Sequence, residues 1–223
     1  MSVIDAPSPN ADARPGPVRH LMLHYTGMQS AAAAVARLRD PAARVSSHYV
    51  VDEDGTVYAL VEESRRAWHA GISAWRGVRQ LNDSAIGIEI VNPGHEWGYR
   101  AFPQTQMQAV LALCQDILAR HEIPARNVIG HSDAAPDRKQ DPGELFDWRW
   151  LAQQGVGLWS DDFSPPGDLI ADLGVIGYDA GLDTATVISA FQRHFCPDEL
   201  AGGPGQKTAG RAAALRRLVD GQP

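Results

Sequence analysis

The chain has 223 residues, of which 44% are hydrophobic and 21% charged, ordinary values for a soluble globular protein with one sizeable domain and a small second one. The net charge of −7 argues against a nucleic-acid-binding protein, because such proteins usually carry a basic excess. No stretch approaches the roughly 18–20 consecutive apolar residues of a membrane span. Two cysteines are too few for the disulfide framework of a small secreted protein.

Strand and helix patterns alternate along the first 158 residues. After an extended amino-terminal arm, runs of strand length and composition occupy residues 18–25, 47–51, 56–61, 85–91 and 127–130. Apolar residues at helical spacing, with proline or capping residues at the ends, predict helices over residues 31–39, 104–121 and 145–153. Asp54-Gly55 separates the second and third runs, which favours a hairpin there.

The run at residues 85–91 alternates cleanly between the two faces of a strand. Ile86, Ile88 and Ile90 fall on one face, whereas Gly87 and Glu89 fall on the other. A solvated glutamate on an edge strand is one interpretation. In so apolar a strand, however, a buried carboxylate costs free energy unless it is paired or lies near a metal.

The pattern changes after residue 158. Residues 159–168 combine prolines, glycine and acidic residues, which is typical of a linker. Helices are predicted over residues 169–173, 184–195 and 207–219, with a loop at 174–182. Because a segment of about 60 residues is near the lower limit for independent folding, we expect it to lean on the main domain.

Three side chains of the main domain suit a catalytic zinc site. His24 closes the first predicted strand, and His131 and Asp141 lie in a segment rich in turn residues. Zinc at a catalytic site takes three such ligands and keeps a fourth position for water. His131 and Asp141 alone would be a weak signal, since a surface histidine and aspartate can share a loop. The strand residues His24 and Glu89 strengthen it.

Two further residues fit roles in hydrolysis. Glu89 would act as the general base that takes a proton from the attacking water. Lys139, two residues before Asp141, would stabilise the oxyanion that develops on the carbonyl. Asp133 and Asp137, although nearby, are assigned structural roles. Trp68 and His69 either line a substrate groove by stacking or are a packed tryptophan beside an incidental histidine.

Six motifs occur in one order along the chain, namely His24-Tyr25-Thr26, Ser47-His48-Tyr49, Asp54-Gly55-Thr56-Val57-Tyr58, Trp68-His69-Ala70-Gly71, residues 82–89, and residues 131–143. Together they resemble the zinc-dependent N-acetylmuramoyl-L-alanine amidases of type 2, a family related to peptidoglycan recognition proteins. The resemblance covers about residues 8–158. It implies an α/β fold in which a mixed central β-sheet is flanked by helices, with zinc in a groove on one sheet face.

Carried over by position, the resemblance implies that the zinc ligands are His24, His131 and Asp141. It implies catalytic roles for Glu89 and Lys139. Trp68, His69 and Asn82, which lie in the quoted motifs, are expected to bind substrate. Residues 169–219 resemble a three-helix peptidoglycan-binding domain, through Leu173-Gly174, Gly177-Tyr178 and residues 190–195. The expected organisation is therefore a catalytic domain at 1–158, a linker at 159–168 and a helical domain at 169–223.

The implied reaction is hydrolysis of the amide between N-acetylmuramic acid and the L-alanine of the peptidoglycan stem peptide. Residues 1–17 lack the apolar core of a signal peptide, so we expect a cytoplasmic monomer that acts on 1,6-anhydro-muropeptides in wall recycling. The carboxy-terminal module favours instead a periplasmic enzyme on polymeric wall, its export signal removed. A non-catalytic peptidoglycan receptor is the alternative from another class, although receptors on this fold commonly lack a zinc ligand.

Overall fold

The centre of the protein is a six-stranded mixed β-sheet. The structure, a computed structural model, describes residues 3–221. Its strands are β1 (Val3–Asp5), β3 (His20–Tyr25), β4 (Tyr49–Val51), β5 (Val57–Ala59), β9 (Ala85–Ile90) and β10 (Val128–Gly130). Across the sheet they lie in the order β1-β5-β4-β9-β3-β10. Neighbours run parallel except β4 and β5, which form the predicted antiparallel hairpin. The expected mixed sheet is confirmed.

Two short ribbons lie beside the sheet. The first pairs β2 (Ala11–Ala13) with β6 (Arg65–Ala67), and the second pairs β7 (Ala74–Trp75) with β8 (Val78–Arg79). Together with the pairing of β1 to β5, the first ribbon fixes the amino-terminal arm, which the sequence predicted only to be extended. Strands of three residues carry too little periodicity to be recognised without their partners.

Eight α-helices surround the sheet within residues 3–221. They are α1 (Ala31–Arg39), α2 (Gly94–Trp97), α3 (Gln104–Arg120), α4 (His131–Ala134), α5 (Trp148–Gln153), α6 (Leu169–Ile176), α7 (Thr184–Phe195) and α8 (Gln206–Asp220). The predicted bounds of α1 and α7 are confirmed. The loop predicted from Gly174 is wrong at its start, because α6 continues to Ile176 and ends at Gly177, whose φ is 149°.

The two sheet faces are covered by different helices. On one face Ile86, Ile88 and Ile90 pack with residues of α3, including Val110 and Ile117. On the other face Met22, Ala85 and Ile129 share a core with the carboxy-terminal helices, through Leu173, Phe191 and Leu215. The expectation that the carboxy-terminal segment leans on the main domain is therefore met by a shared apolar core.

In residues 3–221, helices of the length and apolarity needed to cross a bilayer are absent. Cys114 and Cys196 are both buried free thiols, in agreement with the interpretation of Cys114 as a core residue on the apolar stripe of α3.

Candidate metal centre and active-site cleft

Strands β3 and β9 place His24 and Glu89 side by side. The two strands are parallel, and the Cα of His24 is in register with the Cα of Glu89. Because side chains alternate along a strand, both project from the face opposite to Ile88 and Ile90. His24 is buried, with 1% of its surface exposed. The predicted alternation of β9 thus fixes the position of the strand acid.

The segment from His131 to Asp141 follows β10 and returns to it. It begins with a helical turn, α4, rather than the continuous loop that its turn residues suggested. The backbone N–H of Ser132 donates to the carbonyl of Asp141 at 2.9 Å, and the Tyr99 hydroxyl donates to the carbonyl of Pro142 at 2.9 Å. The first bond holds the end of the segment against its beginning, so that Asp141 lies beside His131, and the second anchors the following proline to Tyr99.

His24, His131 and Asp141, hereafter the metal cluster, meet at three atoms. The distances are 2.9 Å from His24 Nδ1 to His131 Nδ1, 2.9 Å from His24 Nδ1 to Asp141 Oδ2, and 3.1 Å from His131 Nδ1 to Asp141 Oδ2. All three residues are buried. The structure thus brings together the three residues that the sequence predicted as ligands, from chain positions more than a hundred residues apart.

The outer ring nitrogens show which atoms carry protons. His131 Nε2 lies 3.1 Å from the carbonyl oxygen of Ala70, which can only accept, so Nε2 carries a proton, and in the neutral ring Nδ1 presents a lone pair. His24 Nε2 shares a hydrogen bond of 3.0 Å with His69 Nδ1. Burial, reinforced by the nearby His131, lowers the pKa of His24 to about 4, so the ring is neutral at pH 7.

The metal cluster is therefore a convergence of acceptors. Asp141 is buried in direct contact with both rings, and an ionised carboxylate offers only acceptor oxygens. A carboxylate oxygen and imidazole lone pairs about 3 Å apart repel one another unless a cation lies between them. This donor set, two imidazoles and one carboxylate, is the one that Zn²⁺ prefers at catalytic sites.

Glu89 faces the same space without a partner for one of its oxygens. Burial first, and the charge of Asp141 second, raise the pKa of Glu89 well above its usual range. Its Oε2 atom is buried and has no hydrogen-bond partner within residues 3–221. A positive charge beside Asp141 would offset both effects, so the acid that the sequence singled out also fits an adjacent cation.

These residues form the floor of a cleft of about 300 Å³. Lys139 is partly exposed at its edge and also lines the cleft. The far end is lined by α1 and the segments on either side, including Met28, Arg37 and Leu38. A carbonyl group placed in this cleft has the metal cluster, Glu89 and Lys139 around it, and these groups together can catalyse amide hydrolysis.

The three residues expected to bind substrate occupy different positions. Trp68 lines the cleft and donates from Nε1 to Asp12 at 2.7 Å. His69 also lines the cleft, but its Nδ1 contacts the metal cluster through His24. Asn82 is buried, and its side-chain oxygen accepts hydrogen bonds from the backbone N–H groups of His69 and Ala70 at 2.9 and 2.7 Å. Asn82 is not among the residues that line the cleft.

The sequence held a signal for the position of His69. A Cβ atom on Gly87 of β9 would lie 2.5 Å from the His69 ring, so the ring packs directly over the strand backbone. Only glycine permits that approach. A glycine in an otherwise apolar strand is a sign of such close contact, and here the ring that approaches is the one behind His24.

A second buried carboxylate of the same segment faces the carboxy-terminal helices. Asp133 accepts from the backbone N–H of Gly130, from the Tyr178 hydroxyl and from His194 Nδ1, each at 2.7 Å. We call these four residues the donor cluster. Burial and the charge of Asp133 raise the pKa of Tyr178 well above its usual range, so the phenol keeps the proton that it donates. The structural role predicted for Asp133 is thus to accept hydrogen bonds from Gly130, Tyr178 and His194.

Comparison with known proteins places this geometry in a family. The family model for N-acetylmuramoyl-L-alanine amidase matches residues 14–144, more than half of the chain. The chain belongs to the N-acetylmuramoyl-L-alanine amidase family. The predicted family and reaction class are thereby confirmed, and the segment that matches contains the whole metal cluster, Glu89 and Lys139.

Several relatives of this amidase family can be compared along their length. N-acetylmuramoyl-L-alanine amidase AmiD of Escherichia coli K12 is 39% identical over 229 residues, which cover 89% of this chain and 82% of AmiD. The solved complex of E. coli AmiD with the substrate anhydro-N-acetylmuramic acid-L-Ala-D-γ-Glu-L-Lys superposes with a TM-score of 0.80 at 37% identity, covering 93% and 92% of the two chains. The 1,6-anhydro-N-acetylmuramyl-L-alanine amidase AmpD of E. coli K12 is 39% identical over 105 residues, 47% of this chain and 55% of AmpD.

Proposed function

We propose that this amidase hydrolyses the bond between 1,6-anhydro-N-acetylmuramic acid and the L-alanine of a stem peptide, with Zn²⁺ as cofactor, in wall recycling. The observation that carries the proposal is that His24 Nδ1, His131 Nδ1 and Asp141 Oδ2 lie within 3.1 Å of one another at the floor of an open cleft. Beside them is Glu89 Oε2, which has no hydrogen-bond partner among residues 3–221. The substrate form is supported by AmiD, whose solved complex holds an anhydro-muropeptide, and by AmpD, which is named for one.

His24, His131 and Asp141 would hold the zinc through Nδ1, Nδ1 and a carboxylate oxygen. Zinc in this position supplies a Lewis acid for the scissile carbonyl and a water of lowered pKa. The protein fixes the ligand atoms from outside, because the carbonyl of Ala70 holds the proton of His131 on Nε2. Such outer contacts orient a ligand ring and set its tautomer.

Glu89 would move the proton. In its ionised form it takes a proton from the attacking water, and it then delivers that proton to the nitrogen of the leaving L-alanine. A bound cation would offset the burial and the Asp141 charge that raise the pKa of Glu89, and so would favour the ionised form that the first step needs. Lys139, at the edge of the cleft, would stabilise the oxyanion of the tetrahedral intermediate.

The remaining predicted residues are assigned by position. We propose that Trp68 contacts the substrate, since its side chain lines the cleft. His69 would orient His24 through the bond to Nε2, and Asn82 would hold the backbone of His69 and Ala70 in place. His69 and Asn82 would then affect substrate binding through the metal cluster rather than by contact.

We also propose the division into a catalytic unit at 1–158, a linker at 159–168 and a helical unit at 169–223, acting as a monomer. In support, α6, α7 and α8 contact one another and share a single core with one sheet face. The helical unit would support the metal-binding segment through Tyr178 and His194.

Mass spectrometry of the products tests the proposed substrate. Purified anhydro-muropeptide and intact wall sacculi are incubated with the protein in parallel, and release of free stem peptide is followed. Release from the small substrate alone is the expected result and fits recycling in the cytoplasm. Efficient digestion of sacculi would instead favour a periplasmic enzyme that acts on polymeric wall.

Glu89→Gln provides the matched control for the mechanism. The substitution keeps the shape of the side chain but removes the base, so we expect stem-peptide release to fall by about 10²–10⁴-fold while zinc binding persists. Chelation should abolish activity and added zinc should restore it. Undiminished release by Glu89→Gln, or indifference to chelation, would rule out the proposed mechanism.

A further inference from the structure

A second groove adjoins the cleft. It lies between residues 136–140, at the end of the segment that carries His131 and Asp141, and α7, and measures about 480 Å³. Its lining includes Asp137, Arg138, Lys139, Thr186, Ser189 and Arg193. Lys139 lines both the cleft and this groove, which we call the α7 groove. The α7 groove therefore begins beside the position at which the scissile amide would lie.

One side of α7 lines this groove with polar side chains. Thr186, Ser189 and Arg193 are three and four positions apart, so their side chains share one side of the helix. The opposite side is apolar and buried, with Val187 and Phe191 in the shared core. The Thr186 hydroxyl already donates to Asp183 at the start of α7, so the Ser189 hydroxyl and the Arg193 guanidinium are the groups of this side that a polar ligand can use.

The α7 groove is cationic. Arg138, Lys139 and Arg193 line it, against one carboxylate, Asp137. Arg138 is fixed in place, because its guanidinium donates to the carbonyl oxygens of Ala70 and Ile72. Arg193 is held less completely. Its Nε is buried, makes no hydrogen bond within residues 3–221, and lies 3.7 Å from Glu144.

The substrate offers one group of the matching charge close to the reacting bond. In the stem L-Ala-D-γ-Glu-L-Lys, the γ-linkage leaves the α-carboxylate of the second residue free, one residue beyond the scissile amide. The glycan side carries hydroxyl and acetamido groups, which are uncharged. Charge complementarity therefore favours the stem peptide over the glycan as the occupant of the α7 groove.

We propose that Arg193, with the Ser189 hydroxyl, binds the free α-carboxylate of the second stem residue. The carboxy-terminal helical unit then forms part of the substrate site and makes the enzyme selective for stems longer than one residue. This inference rests on the proposed function, since it takes the stem peptide to lie along the α7 groove with its amide at the metal cluster.

The test uses three substrates that differ only in the stem: anhydro-N-acetylmuramoyl-L-Ala, the same molecule extended by D-γ-Glu-L-Lys, and the same extended by D-isoglutaminyl-L-Lys, in which a carboxamide replaces the α-carboxylate of the second residue. We expect the full-length enzyme to show a KM about tenfold lower for the D-γ-Glu substrate than for the D-isoglutamine substrate, with similar kcat, as one charge-assisted hydrogen-bonded contact would give. In Arg193→Ala that difference should vanish, and the KM for the one-residue stem should stay unchanged.

Two further variants separate the proposal from a general defect. Ser189→Glu places a negative charge in the α7 groove and should raise KM for the D-γ-Glu substrate while sparing the one-residue stem. Arg217→Ala removes an exposed arginine of α8, outside the groove, and should behave like the parent protein. An equal KM for carboxylate and carboxamide in the parent protein, or an unchanged preference in Arg193→Ala and Ser189→Glu, would overturn the proposal. Inactivity of the parent protein on all three substrates would instead refute the proposed function.

Discussion

The metal cluster and the donor cluster each combine a buried aspartate of residues 131–141 with histidine, but they differ in what surrounds the carboxylate. Asp141 and Asp133 are both buried, and each lies within about 3 Å of a histidine nitrogen. Around Asp133 every partner is a donor: a backbone N–H, a phenol and a ring N–H. Around Asp141 the atoms that approach are the Nδ1 atoms of two rings, and that of His131 is an acceptor in the neutral ring, because its proton is held on the far side.

The contrast explains why one carboxylate suits a metal and the other does not. Hydrogen bonds from three donors satisfy Asp133 and leave no need for a cation. Asp141 and two imidazole lone pairs can be satisfied together only by a positive charge. A cluster of histidine and aspartate in a sequence is therefore ambiguous until the direction of each hydrogen bond is known.

The largest expected effect comes from exchanging the two carboxylates for amides. Asp141→Asn removes the charge from the metal cluster, and we expect zinc affinity to fall by more than the roughly 10–100-fold typical of changes behind a ligand, with near-complete loss of activity. For Asp133→Asn we expect the loss of zinc affinity to stay within that roughly 10–100-fold range. Titration with a competing chelator measures both. Equal losses of zinc in the two variants would contradict the distinction between the clusters.

An intermediate effect is expected on stability, in the opposite order. Asp133→Asn leaves three buried donors facing an amide, and we expect the free energy of unfolding to fall by about 3–5 kcal/mol. Tyr178→Phe removes one donor only and should cost about 1–1.5 kcal/mol. Urea denaturation of the zinc-free proteins gives the comparison. If metal-free Asp141→Asn lost more stability than Asp133→Asn, the donor cluster would not be the structural one.

The smallest effect tests a third carboxylate that is also surrounded by donors but lies nearer the surface. Although burial alone would raise the pKa of Glu63, hydrogen bonds from Arg120, His121 and Tyr49 lower it to about 2. Because the folded-state pKa is depressed, ionised Glu63 stabilises the fold above its ordinary pKa near 4.5, and this contribution disappears as the pH falls from 4.5 to about 2.

Glu63→Gln measures that contribution. We expect it to lower the free energy of unfolding by about 1–2 kcal/mol at pH 7, less than the full pKa shift would give, since solvent screens a partly exposed group. The difference from the parent protein should shrink below pH 4.5 and approach zero near pH 2. A difference that stays constant between pH 7 and pH 3 would show that Glu63 acts by packing rather than by charge.

Much of the candidate site could be predicted from local patterns. The alternation of β9 placed Glu89 on the face opposite Ile88, and the motifs identified His24, His131 and Asp141, which the structure brings within 3.1 Å. Helix α7 was bounded correctly by its caps and apolar spacing. The strand face of Glu89 and the bounds of α7 are predictable because they depend on neighbours within one strand or one helical turn, where the spacing of residue types directly sets the exposed and buried faces. The metal ligands were identified instead by the order of motifs along the chain.

The sequence by itself determined the residue types of the metal cluster, the strand that carries the acid, and the family. Only the tertiary structure decided how His131 is protonated, that His69 lies behind His24, that Asp133 is held by Tyr178 and His194, and that the amino-terminal arm joins the sheet. The physical reason is distance along the chain. The carbonyl that orients His131 lies 61 residues away, and so does the imidazole that meets Asp133. No local periodicity encodes the direction of a hydrogen bond between such distant partners.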